Sequence, residues 1–295
     1  MKKTLLLTMA LAAALAAAGC AKTDGGASSA ADTSAEASES QAADASEGES
    51  ASDSEKESSA GVSGEETSGE NGSVSDGVSG DVMTYEEYMA ADLDSQVTVE
   101  TYVQAKQSWW EDKATLYTQD QDGAYFVYNM ACSEEDYDLL TPGSKIRVTG
   151  YKSEWAGEVE IIDAAFEFVE GDKYVAEALD VTDLLGTDQL IDHQNQFVAF
   201  KGMTVEPAGQ DADGNDVAFL YNWDGSGTEG DDLYFQVSKN GETYTFTVES
   251  YLCDSSSDTY KAVQSLKIGQ TVDLEGFLYW YEGVNPHITS VTVVQ

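Results

Sequence analysis

From residue 83 onward Val, Ile, Tyr, Phe and Trp alternate with polar positions between turn-forming clusters, the pattern of half-buried strands. The first half of this region opens with Thr84 and Glu87 at capping-box spacing, which predicts a short helix from Tyr85 to Ala91. A long strand follows from Gln96 to about Gln107, with Val97, Val99 and Val103 on one face. Lys113 to Gln119 and Ala124 to Met130 form a predicted hairpin, because Asp122-Gly123 supplies the positive φ angles of a tight turn. Ser133 to Leu140 reads as a short helix, and Lys145 to Ser153 and Val159 to Phe168 as two more strands.

The pattern then repeats. Leu140-Thr-Pro-Gly143-Ser-Lys-Ile146-Arg-Val148-Thr-Gly150 lies over Leu266-Lys-Ile-Gly269-Gln-Thr-Val272-Asp-Leu274-Glu-Gly276 at an offset of 126 residues. Trp155 and Gly157 continue the match over Tyr281 and Gly283, and Ile162 over Ile288. Val97-Thr-Val99 pairs with Val198-Ala-Phe200 at an offset of 101, so the second copy holds 25 extra residues between its shared ends. They fall at its first loop, Glu206 to Asp232, which contains an apolar strand from Val217 to Trp223. The hairpin resumes with Leu233 to Ser238, a turn at Lys239 to Glu242, and Thr243 to Glu249.

Five strands with a helix between the third and fourth is the order of an OB-fold barrel, whose first and fourth loops flank the ligand-binding face of strands two and three. The expected fold is therefore mainly β, with two consecutive five-stranded OB barrels at 83–170 and 171–295 and a long first-loop insertion at 206–232. The Pro-Gly lead into strand four makes the chain resemble the acidic, two-OB lipoproteins of gut Firmicutes and the tRNA-anticodon-binding-like OB families. That resemblance implies the fold and leaves activity open.

Residues 1–19 read as an export signal: two Lys, an apolar run too short to span a bilayer, then small residues. Ala17-Ala18-Gly19-Cys20 resembles a bacterial lipobox, which implies acylation of Cys20 with palmitate-type chains and a place on the outer face of the cell membrane. Residues 20–82 are the expected disordered tether: positions 21–82 hold 16 Ser, 11 Ala, 9 Gly and 15 acids and no aromatic residue, too little apolar surface to offset chain entropy.

The whole chain carries 55 acids against 14 bases, a formal charge of −41, of which the tether accounts for −13 and the two barrels for −30. An acidic surface disfavours polyanions, so nucleic acid is the least favoured partner. Arg147 is the sole Arg, which excludes a paired-Arg phosphate clamp such as a nuclease-type OB enzyme needs. His193 and His287 are ordinary strand and loop candidates, and no catalytic set emerges. The expectation is a binding module and not an enzyme, with envelope glycan, peptide or a cationic protein as partner and no cofactor.

Candidate ligand contacts are the aromatics Trp109, Trp110, Tyr117, Tyr151, Trp155, Trp223, Tyr234 and Trp280, together with a basic spot at Lys145, Arg147 and neighbouring Lys152. Strand alternation sets Lys145 and Arg147 as a charge complement to Asp273 and Glu275 of the other copy. A second expectation is calcium held by Asp211, Asp213, Asn215 and Asp216, or by Asp224, Asp231 and Asp232, which are dense oxygen donors without EF-hand spacing. Oligonucleotide binding is a third. Cys132 and Cys253, each ending strand three of its copy, are expected as free thiols.

Overall fold

A computed structural model describes residues 81–294, all within one compact unit. The export signal, the lipidation candidate Cys20 and the tether up to residue 80 lie outside the described residues.

The first barrel is built from β1 (Gln96–Lys106), β2 (Lys113–Gln119), β3 (Ala124–Ala131), β4 (Lys145–Trp155) and β5 (Glu158–Phe168). They close in the order β1-β2-β3-β5-β4, with β3 and β5 parallel, which is OB connectivity. Its core gathers the inward positions of the alternating pattern, among them Val97, Val99, Val103, Leu116, Val127, Ile146, Val148 and Ile161. Helix α1 (Tyr85–Ala90) begins with the predicted capping box, in which Thr84 Oγ1 accepts from the Glu87 amide and Glu87 accepts from the Thr84 amide. Helix α2 (Glu134–Leu139) sits between β3 and β4.

The second barrel uses β7 (Phe197–Glu206), β11 (Leu233–Lys239), β12 (Glu242–Val248), β13 (Thr271–Phe277) and β14 (His287–Val293). The β11–β7 pairing closes the sheet around a core that includes Phe200, Val205, Phe235, Phe246, Leu274 and Ile288. Helix α3 (Asp258–Gln264), capped by Ser257, takes the place of α2. A two-residue edge strand, β6 (Leu179–Asp180), pairs in parallel with β7. In the insertion, the single strand expected from Val217 to Trp223 is split. β9 (Asp216–Val217) turns back onto β8 (Gly209–Gln210), while β10 (Phe219–Tyr221) pairs with β11. The break follows from the Asp211 carboxylate, which accepts from the Asp213 and Asn215 amides and folds this stretch into its own hairpin.

Gly150 and Gly276 explain why strand four carries the strongest repeat. A Cβ on Gly150 would stand 2.7 Å from the Ile162 carbonyl oxygen, and one on Gly276 would overlap the backbone of His287 and lie 2.7 Å from Ile288 Cα. Each marks an interrupted register where strand four crosses strand five, and only a residue without a side chain permits that approach.

The basic spot is not the one expected. Lys152 is buried with its Nζ donating to the carbonyls of Tyr88, Met89 and Ala91, where it caps the C-terminal end of α1. Lys145 pairs with Glu100 at 2.5 Å, and Arg147 binds Glu100 at 2.7 Å and Glu167 at 2.5 Å, all within the first barrel. Within the chain, Lys145 and Arg147 therefore do not pair with Asp273 and Glu275: Glu275 meets Lys201, and Asp273 accepts from the Gly202 amide. Cross-strand neighbours satisfy each charge before the other barrel is reached.

Candidate functional site

The two barrels meet through the outer face of β2 and β3. Tyr117 and Phe126 pack against Phe277 and Tyr279, with Phe197 and Leu252 alongside, and the Tyr117 and Phe277 rings stack at 4.5 Å. A polar seam edges this cluster. Ser108 donates from its amide to the Tyr251 carbonyl at 2.7 Å, the Phe197 amide to Gln119 Oε1 at 2.8 Å, and the Trp280 amide to Glu158 Oε2 at 2.9 Å. His287 lies inside the junction, with Nδ1 2.6 Å from the Tyr117 hydroxyl and its ring stacked on Tyr279. Burial lowers its pKa to about 3, so the ring that shares this hydrogen bond is neutral near neutral pH.

Part of the outer face of β2 and β3 is consequently covered by the second barrel. Beside the junction lies a cleft of about 750 Å³. Its walls are Trp110 from the first loop, Tyr128 from β3, Trp155 from β4, Tyr251 after β12 and Tyr279 after β13. Trp110, Trp155 and Tyr251 are 67%, 56% and 63% exposed, far more than large aromatics in a packed interior. Gln107, Ser108, Thr115, Asn129 and Lys113 add hydrogen-bonding groups, while Glu160 and Glu249 add carboxyls.

Both carboxyls are nine-tenths buried. Desolvation raises Glu160, and it lifts Glu249 to about 7, helped by the nearby charge of Asp232. Glu249 Oε1 accepts from the Tyr251 amide at 3.3 Å, while Oε2 is buried with no partner. Behind them Glu158 is wholly buried, its pKa pushed well up by desolvation, with one oxygen on the Trp280 amide and the other unpaired.

On the second barrel, a smaller pocket of about 260 Å³ is lined by Tyr234, Gln236 and Thr245, by Leu220 and Trp223 of the insertion, and by Tyr281. Tyr281 also touches Trp155, with ring centroids 5.1 Å apart, so one aromatic pair stands between the pocket and the cleft.

Of the expected contacts, Trp110 and Trp155 reach the cleft and Trp223 and Tyr234 the smaller pocket. The others lie elsewhere. Tyr117 is sealed in the junction, Trp109 donates its indole N–H to the Cys132 carbonyl, Trp280 packs against the second core, and Tyr151 is exposed on β4. Three acidic loop residues close turns: Asp211 holds Asn215, Asp224 holds Ser226 and Asp231 holds the Thr228 amide; Asp232 instead accepts from Ser250 beyond β12. Among the described residues no three His, Cys, Asp or Glu side chains converge to hold a metal ion. Cys132 is buried and Cys253 half-buried; both are free, and burial raises each thiol to about 11, which leaves little thiolate near neutral pH. Sequence reading missed Glu160, Glu249 and Tyr251, which become neighbours only when the two copies join.

No protein-family model matches the chain, and no characterised relative matches it by sequence. Among solved structures, a murine DNA-binding protein bound with double-stranded DNA is similar at 11% identity, over 67% of this chain and 96% of that one, with a TM-score of 0.33. A replication protein A heterotrimer bound to single-stranded DNA is similar at 10% identity, over 68% and 49%, with a TM-score of 0.27. A HINa domain in complex with 20-bp double-stranded DNA is similar at 11% identity, over 68% and 98%, with a TM-score of 0.30. Likeness this distant bears on neither ligand nor activity.

Proposed function

We propose that this chain is a binding module of the cell envelope, held at the outer face of the membrane through Cys20, that takes its ligand in the cleft between the barrels and does not transform it. The observation that carries the reading is the convergence of Trp110, Tyr128, Trp155 and Tyr251 on one open cleft beside two desolvated carboxyls. Flat aromatic walls suit sugar rings and the stems of peptide side chains, and the carboxyls add a preference for neutral or cationic ligands. A polyanion gets no such support, because Lys145, Arg147 and Lys152 are committed to Glu100, Glu167 and a helix end.

Trp110 and Trp155 make the binding visible by fluorescence. Titration with chito-oligosaccharides, lysine-containing peptides and single-stranded DNA should give a saturable change with at least one of the first two. The double variant Trp110→Ala, Trp155→Ala should weaken it about 30-fold or more, since a central aromatic anchor is worth roughly 2 kcal/mol or more. A response to DNA alone, falling steeply with salt, would instead favour oligonucleotide binding. An unchanged affinity in the double variant would remove the cleft from consideration.

A further inference from the structure

Glu249 singles itself out within the cleft. It is 8% exposed, Oε1 is engaged by the Tyr251 amide, and Oε2 is shut away from water without a donor. Leaving a buried carboxylate oxygen unpaired costs free energy, and since the Glu249 side chain lines the cleft, turning it toward the opening lets a donor there recover that cost. The groups facing Glu249 offer no intramolecular cation: Asp232 precedes β11, Tyr117 lies on β2, Tyr234 on β11, Cys253 follows β12 and Tyr279 follows β13. Lys113 and Glu160 line the same cleft, and no carboxylate lies within ion-pair distance of Lys113 among the described residues.

Resting on the cleft being the binding site, we infer that it selects a primary alkylammonium group, with Glu249 Oε2 accepting its N–H and the rings of Trp110, Tyr251 and Trp155 flanking its aliphatic stem. Three features exclude other classes. An unpaired acceptor calls for a hydrogen-bond donor, which a quaternary ammonium lacks. Glu249 in its ionised form repels anions. Aromatic faces favour a cation over a neutral polar group. A carboxyl that titrates near neutrality also couples binding to protons: the bound cation stabilises the ionised form, so capture near pH 7 releases a proton and tightens as pH rises from 6 to 8.

The test uses the soluble chain and isothermal calorimetry with cadaverine and with Nα-acetyl-lysinamide, which separate a free polyamine from a peptide side chain. Counterparts trimethylated at every amine, and forms acetylated at every amine and therefore neutral, serve as controls. Binding of either primary amine is expected, with an enthalpy at pH 7 that varies with the buffer's own ionisation enthalpy. Affinity should fall about tenfold or more in Glu249→Gln and for the trimethylated probes, and Glu249→Gln should lose the buffer dependence. Equal affinity for primary and trimethylated amines, which needs no variant, overturns the inference. So does equal affinity in Glu249→Gln. If neutral sugars or peptides bind through Trp110 and Trp155 while both amines fail, the cleft stands as the site and the ammonium assignment falls. If nothing responds to the aromatic variants, both fall.

Discussion

Replacing Gly276 by Ala is expected to lower the melting temperature of the chain by at least roughly 6–12 °C. The added methyl group has nowhere to go, because the obstacle is the His287–Ile288 backbone and not a side chain that can rotate away. Relief requires prising β13 from β14 at the point where the strands cross. Overpacking of this kind costs about 3 kcal/mol or more, and a unit of some 200 residues loses about 2–4 °C per kcal/mol. Gly171→Ala is the control, since its new Cβ would meet only the Lys145 side chain, at 3.7 Å. Thermal melts followed by circular dichroism measure both. A Gly276→Ala midpoint within about 2 °C of the wild type would mean that the strand crossing is looser than described.

Phe277→Ala is expected to act one residue away by a different route. The Phe277 ring points out of the second core, and it is buried against Tyr117 and Phe197 at centroid distances of 4.5 and 5.3 Å. Removing a buried Phe costs about 3–5 kcal/mol. Here the loss falls on the junction and leaves each barrel's own core intact. Calorimetry should therefore show one transition resolving into two, with Tyr117 fluorescence becoming accessible to quencher. A single transition at the wild-type midpoint would show that the polar seam alone joins the barrels.

The parts of this molecule that were legible in sequence are those set by local rules. Thr84 and Glu87 announce α1, and Asp122-Gly123 announces the β2–β3 turn. Gly150 and Gly276 recur because the same backbone crossing recurs. Alternation also sorted Ile146 and Val148 inward correctly. It also puts Lys152 on their inward face; the error was to count Lys152 with the exposed basic spot, when it lies buried and reaches the carbonyls ending α1. The cleft was the least visible feature. Tyr117, Phe277 and His287 occupy outward positions on separate barrels, and nothing in a strand's own period says what will cover its outer face. Glu160 and Glu249 were hidden by composition, since 2 carboxyls among 40 in the barrels carry no local mark of their burial.

Amide hydrogen exchange of the whole chain, with and without saturating cadaverine, tests the central claim most directly. The account predicts slowed exchange at residues 107–113, 126–131, 249–253 and 279–287, the segments that border the cleft, with no change around the acidic turns of 211–232. Protection confined to 211–232, or spread evenly over the acidic surface with the cleft segments unaffected, would contradict it.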